Sequence, residues 1–267
     1  LYFAYPLIGL LLTVTIIKYI VKRPVRHGIP NTLYSISKRS GNVRRHNLYS
    51  SLITSAITVG FGGSVGLEGP SVVTSAAWGS NIGRSLRLDH KTKILLIGCA
   101  AAGAISSLFN APVAAIIFSI EIFMLDLTMA SLIPLLLASL AAVLTSRFFL
   151  GNDVLFHFPI ANTFSAANLP FYALLGIATG LISIYFTKTY FFFTSLFEKV
   201  KYDYLKAAIG GLLLGALIFV LPPLYGEGYD TINSLISGNY EQALQNSPFY
   251  FLKGNDYAVL LFFTAVI

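Results

Sequence analysis

"GFGGSVGLEGPS", residues 60–71, is the stretch on which the reading of this chain turns. It sets one carboxylate, Glu68, among glycines and directly ahead of Gly69–Pro70, with long apolar runs on either side. Proline suits the first turn of a helix, where its missing N–H would be unpaired anyway and its fixed φ already fits. The spacing therefore predicts a helix starting near Gly69–Pro70, with its first free N–H groups facing Glu68. A helix N-terminus carries about half a positive charge and unsatisfied donors, so it draws anions. Glu68 then reads as a tethered anion at an anion site, filling it when ionised and leaving it when protonated or swung away. Gly66 and Gly69 let backbone and ligand approach closely. The plain alternative is an N-cap carboxylate that only steadies the helix, by about 1 kcal/mol. At membrane depth a carboxylate is functional by default, so the surroundings decide between the two.

Those surroundings are apolar. Of the 267 residues 55% are hydrophobic and only 11% charged, and the mean hydropathy is +0.73. A soluble domain carries about a quarter charged residues, so the composition is that of a membrane protein. The net charge is +7, yet eight of the 18 Lys and Arg residues lie between Lys18 and Arg45, and Arg84, Arg87, Lys91 and Lys93 form a second cluster. Both clusters occupy short connections between apolar runs, the mark of cytoplasmic loops rather than of a nucleic-acid surface. The single Cys99 excludes a disulfide within the chain. His46, His90 and His157 have no metal-ligand spacing, so neither metal nor cofactor is expected. The chain starts and stops inside apolar segments and reads as a piece of a larger domain.

Hydropathy predicts helices over 5–21, 47–63, 70–86, 93–109, 112–125, 129–150, 169–198, 204–221 and 255–267, with a polar stretch at 151–168. Several are shorter than the roughly 20 residues a simple span needs and stop at Gly or Pro, as discontinuous helices do. Irregular backbone at that depth is tolerated only where protein buries it or it lines a cavity. The Ala- and Gly-rich segment 98–107 suits close helix packing, Tyr190–Phe193 suits a lipid-facing surface, and Asp126 marks a membrane edge. "RHGIPNTL", 26–33, offers a second anion-binding N-terminus: Gly28 makes the turn, Ile29–Pro30 open a short helix, and Asn31 and Thr32 fill its first turn. Two such N-termini aimed at one point hold an anion by partial charges, which permits fast release. His27–Asn42 also reads like Glu227–Asn239, the trace of an internal repeat. Glu227 itself is read as a polar-turn carboxylate without chemistry.

In these motifs the chain resembles the CLC family of chloride channels and chloride/proton antiporters. "GLEGP" at 66–70, "HGIP" at 27–30 and "FNAPVAAIIFSIE" at 109–121 follow the family's order, and "NIGR" at 81–84 fits between them. The resemblance implies an all-α membrane fold, a bundle of tilted, broken and re-entrant helices with an antiparallel internal repeat. Residues 1–267 would form a partial transmembrane domain, with 1–150 most of the first repeat and 169–267 the beginning of the second. It implies Glu68 as gating residue and His27, Gly28, Ile29, Pro30, Gly66, Leu67, Gly69 and Pro70 around a bound chloride. It also implies a homodimer in a bilayer, for which helices 112–125 and 129–150 are the contact candidates, and no nucleic acid. The short connections point to a multi-pass protein of a bacterial cell membrane.

Three positions depart from the family pattern. Leu67 replaces the usual Lys or Arg beside the gate, and His27 replaces a serine linked to anion choice. Ile122 stands where many family antiporters carry an internal proton-transferring glutamate. The proton pathway is then Glu68 with Glu121, which lies about 100° from Ile122 around a helix and reads equally as a structural carboxylate. The implied function is voltage- or proton-linked transport of chloride or a similar monovalent anion, as chloride/proton antiport gated by Glu68. The alternative is a passive chloride channel of the same family. An intramembrane enzyme with Glu68 as general base would need a nucleophile or metal partner, and no such pattern accompanies it.

Overall fold

A computed structural model describes residues 2–23, 28–151, 155 and 166–237 of the chain, and among them there is no β-strand. The α-helices are α1 (Tyr5–Ile16), α2 (Gly28–Lys38), α3 (Ser50–Gly60), α4 (Glu68–Ser85), α5 (His90–Phe109), α6 (Pro112–Phe123), α7 (Met129–Leu150), α8 (Leu169–Glu198), α9 (Asp203–Val220) and α10 (Tyr229–Ile236). A π-helical turn, Ile17–Val21, prolongs α1, and a 3-10 turn, Arg45–Leu48, leads into α3. The segment expected at 255–267 lies outside the described residues.

Local chemistry explains the breaks. Asp89 caps α5 by accepting from the amides of Lys91 at 3.1 Å and Thr92 at 3.3 Å. The helix ends at Asn110, which takes the left-handed conformation at φ 53°, and Pro112 opens α6 two residues later. Thr128 and Ser131 form a capping box at the start of α7. Among the described residues four helices are long and apolar enough to cross a bilayer: α5, α7, α8 with the turn before it, and α9. None of the residues of α8 is buried, as expected of a surface whose solvent is lipid.

Helix α5 packs against α4, α6 and α7. Lipid tails are as apolar as leucine, so membrane helices associate through close contact and hydrogen bonds rather than through water exclusion. Ala76, Ala77, Ala101, Ala102 and Ala115 are completely buried. A Cβ added to Gly79 would meet the Leu96 carbonyl oxygen at 2.7 Å. Between these small residues the Ser119 hydroxyl donates to the Gly98 carbonyl at 2.7 Å and the Ser106 hydroxyl to that of Ser139 at 2.9 Å. On the other side of the bundle α1 lies against α9, along Ala207, Gly211 and Gly215, which recur every fourth residue. There the backbone of α1 rests on glycine: a Cβ on Gly211 would meet the Leu7 nitrogen at 3.1 Å, and one on Gly215 would overlap the Phe3 carbonyl.

The turn after α2 is tied to α4 by one buried hydroxyl. Ser80 donates to the Gly41 carbonyl at 2.6 Å and accepts from the Val43 N–H at 2.8 Å. Lys93 reinforces the tie by donating to the Asn42 side-chain oxygen at 3.2 Å. Ser80→Val strands a backbone donor and a backbone acceptor in an apolar interior. The expected cost is about 2–3 kcal/mol, read as a lower Tm of the detergent-solubilised protein. An unchanged Tm contradicts this role.

Candidate anion site

Helix α4 starts two residues before its proline. Leu67 is the N-cap, at φ −91° and ψ −4°, and Glu68 is the first helical residue. The Ser71 N–H closes the first turn on the Leu67 carbonyl at 2.9 Å. Proline is tolerated anywhere in a first turn whose donors have no intrahelical partner, so Pro70 sits at the third helical position without strain. Pro70 has no N–H, so the amides ahead of the first intrahelical bond are those of Glu68 and Gly69.

The carboxylate of Glu68 does not cap these amides. It folds back over Gly66, where an added Cβ would overlap one of its oxygens, and Oε1 accepts the hydroxyl of Tyr229. Gly66 is therefore required by the side chain of Glu68. The plain N-cap reading is not the observed geometry.

Tyr229 reaches Glu68 because the chain leaving α9 docks on the glycine break. The Gly226 N–H donates to the Gly62 carbonyl at 3.5 Å. The ring of Tyr225 lies on Gly62, which has φ +82° and no room for a Cβ. Gly228, at φ +78°, then turns the chain into α10, with Tyr229 as its first residue. Glu227 arrives at the same corner. Burial first and the Glu68 charge second hold its carboxyl above the usual carboxylate range, so it keeps a proton to higher pH than a free side chain. Burial first, then the hydrogen bond to Glu68, also push the Tyr229 phenol up. Tyr229 was not identified from sequence, and Glu227 was read there as a polar-turn carboxylate without chemistry. The signal that was there is the likeness of 227–239 to 27–42, which made Gly228 the counterpart of Gly28.

Helix α2 brings Ile29, Leu33 and Ile36 onto a cluster that includes Val72 and Ala76 of α4 and Ala101 of α5. Gly28 takes φ +30°, Pro30 is exposed, and His27 lies outside the described residues. Thr32 on α2 and Thr74 on α4 are buried, and their hydroxyls have no hydrogen-bond partner among the described residues; such atoms are where a water or ligand would be received. Ile122 packs on this cluster from α6 while Glu121 is exposed. The aliphatic side chain, not the carboxylate, packs on the core. Among the described residues no group of His, Cys, Asp and Glu could hold a metal ion.

At the other end of α9 a cavity of about 740 Å³ is lined by Lys18, Lys22, Arg23 and Lys206 with a single acid, Asp203. Lys18 lies over the Tyr204 ring, 5.1 Å from its centroid. Burial first, then Arg44 and Arg23, hold His46 below the ordinary histidine range. The 18 residues of α9 make about 27 Å at 1.5 Å per residue, close to a hydrocarbon core of about 30 Å. The cations thus lie at one end of α9, and the connection that carries Tyr229 to Glu68 leaves from the other.

Helices of bilayer length, short helices broken at Gly and Pro, and a carboxylate at a helix N-terminus define an integral membrane protein of the broken-helix class. The chain belongs to the voltage gated chloride channel family, whose pattern matches residues 9–266. It is 30% identical over 236 residues to a putative chloride channel protein ClcB-like of Ralstonia nicotianae, covering 86% of this chain and 55% of that protein. It is 29% identical over 191 residues to the H(+)/Cl(-) exchange transporter ClcA of Vibrio cholerae, covering 68% of this chain and 41% of that one. The fold matches the crystal structure of a slow cyanobacterial Cl-/H+ antiporter with a TM-score of 0.74 at 20% identity, over 87% of this chain and 56% of that chain. The chain spans about half the length of these relatives.

Proposed function

We propose that this chain carries the gate and part of the anion pathway of a transmembrane chloride transporter. One observation carries the reading: Glu68 opens α4 yet is withdrawn from its own helix N-terminus, so the amides of Glu68 and Gly69 are left to a diffusing anion. The N-terminus of α2, from His27 through Gly28, Ile29 and Pro30, supplies the second set of partial charges on the chloride, with Gly66, Leu67, Gly69 and Pro70 around the first. The basic cavity of Lys18, Lys22, Arg23 and Lys206 gathers anions at the cytoplasmic mouth, and Glu68 guards the opposite side. A multi-pass protein of a bacterial cell membrane fits this sidedness.

Chloride/proton antiport is the leading mode, supported by the exchange activity in the names of the Vibrio and cyanobacterial relatives. A passive chloride channel is the second reading, and Ile122 favours it, because an aliphatic side chain packed on the core offers protons no internal relay. The apolar side chains exposed on α6 and α7, among them Val113, Ile117, Leu137 and Leu144, fit a homodimer contact. Reconstituted flux with a reversal-potential measurement tests the mode. A reversal potential that moves with an imposed pH gradient means coupling; one determined by chloride alone eliminates antiport in favour of the channel.

A further inference from the structure

The corner around Glu68 contains two groups that the proposed gate has not used, Tyr229 and Glu227. They arrive together on the connection from α9 to α10, which is seated on Gly62 through Tyr225 and Gly226. An ionised Glu68 has two competing destinations here. One is the N-terminus of its own helix, where the amides of Glu68 and Gly69 attract any anion. The other is the Tyr229 hydroxyl, which holds it over Gly66 by a charge-assisted hydrogen bond. In the first position Glu68 competes with chloride; in the second it leaves the site open without taking up a proton itself.

Glu227 shifts this balance. Among the described residues the charge acting on it is that of Glu68 from α4, and it acts in turn on Tyr229 of α10. Ionised, Glu227 repels an ionised Glu68 from the latch; carrying a proton taken from solvent, it does not. Leu67 brings no cation to offset that repulsion, where the family pattern has one.

We propose that Tyr229 is a positioning residue that latches Glu68 away from the amides of α4, and that Glu227 makes the latch tighten as pH falls. This rests on the reading of Glu68 as the gate and adds to it a regulator on the second half of the chain.

The test is chloride efflux from liposomes holding the full-length protein, measured against external pH. Tyr229→Phe keeps the ring and removes the donor. Flux at neutral pH then falls about tenfold, the shift in population that one charge-assisted hydrogen bond supports. The rise in flux that follows protonation of Glu227 is then lost, so the wild-type midpoint disappears. Glu227→Gln acts in the opposite sense: flux at neutral pH rises toward its low-pH value. In a Glu68→Ala background Tyr229→Phe is silent, because there is nothing left to latch. Wild-type flux and midpoint in Tyr229→Phe, or an equal loss in the Glu68→Ala background, overturns the latch. If Tyr229→Phe does not fold, Glu227→Gln decides, and an unaltered pH profile there overturns the proposal. Failure of the gate itself has a different signature, a Glu68→Ala protein whose flux and pH dependence are those of the wild type.

Discussion

Replacing Glu68 with Gln is expected to make anion transport insensitive to pH and to abolish proton movement. Gln keeps the length of the side chain and an oxygen to accept from Tyr229, so the folded corner is preserved. What it loses is the ability to change charge. A neutral amide carries no charge for the start of α4 to attract, so it competes far less with chloride for the amides of Glu68 and Gly69. Flux in liposomes is expected to vary by less than about twofold between pH 4 and 7, the range in which carboxylates titrate. A pH gradient drives no chloride in this variant. Proton coupling that persists in Glu68→Gln refutes the gate assignment, since among the described residues no other carboxylate stands in the first turn of α2 or α4.

Gly215→Leu is expected to break the seam between the two ends of the chain. Even the first carbon of the new side chain overlaps the Phe3 carbonyl, and the contact is with backbone, which has no rotamer to yield. Gly211, one turn earlier on the same stripe, fixes the distance between α1 and α9 as well, so the helices cannot separate at one point without losing the other. Overpacking usually costs about 1–3 kcal/mol, and a clash against backbone lies at or above the top of that range. The predicted outcome is a protein that aggregates on extraction or melts well below the wild type. It also loses the seating of Tyr225 and Tyr229 at the far end of α9. Gly176→Leu on the exposed α8, where an added Cβ meets nothing within 4 Å, is the matched control and is expected to leave Tm unchanged. Equal melting of the two variants contradicts the close-contact account of this interface.

Parts of this structure were open to reading from residues alone. The predicted spans 129–150 and 169–198 coincide with α7 and α8, because apolar runs of bilayer length, opened by the capping box at Thr128 or by a first-turn proline at Pro170, are local facts. The "FNAP" break appeared where expected, since Asn110 accepts the left-handed turn and Pro112 restarts the helix. The start of α4 was placed late. Proline marks a first turn, not the position within it, and only the Ser71–Leu67 hydrogen bond identifies Glu68 as the opening residue. Glu121 and Ile122 were separated correctly by angle, but which of them faces the core depends on how α6 rolls against α5.

The sequence by itself determined that this is an all-helical membrane protein with broken helices, and that Glu68 lies at a break. Hydropathy, Gly and Pro act within a turn or two of where they stand, so their consequences are written along the chain. Only the tertiary structure decided what Glu68 touches. Tyr229 is 161 positions away, and no period or motif relates the two. They meet because α9 packs on α1 through small residues and returns the chain across the bilayer onto Gly62. Contact between distant residues is set by that packing.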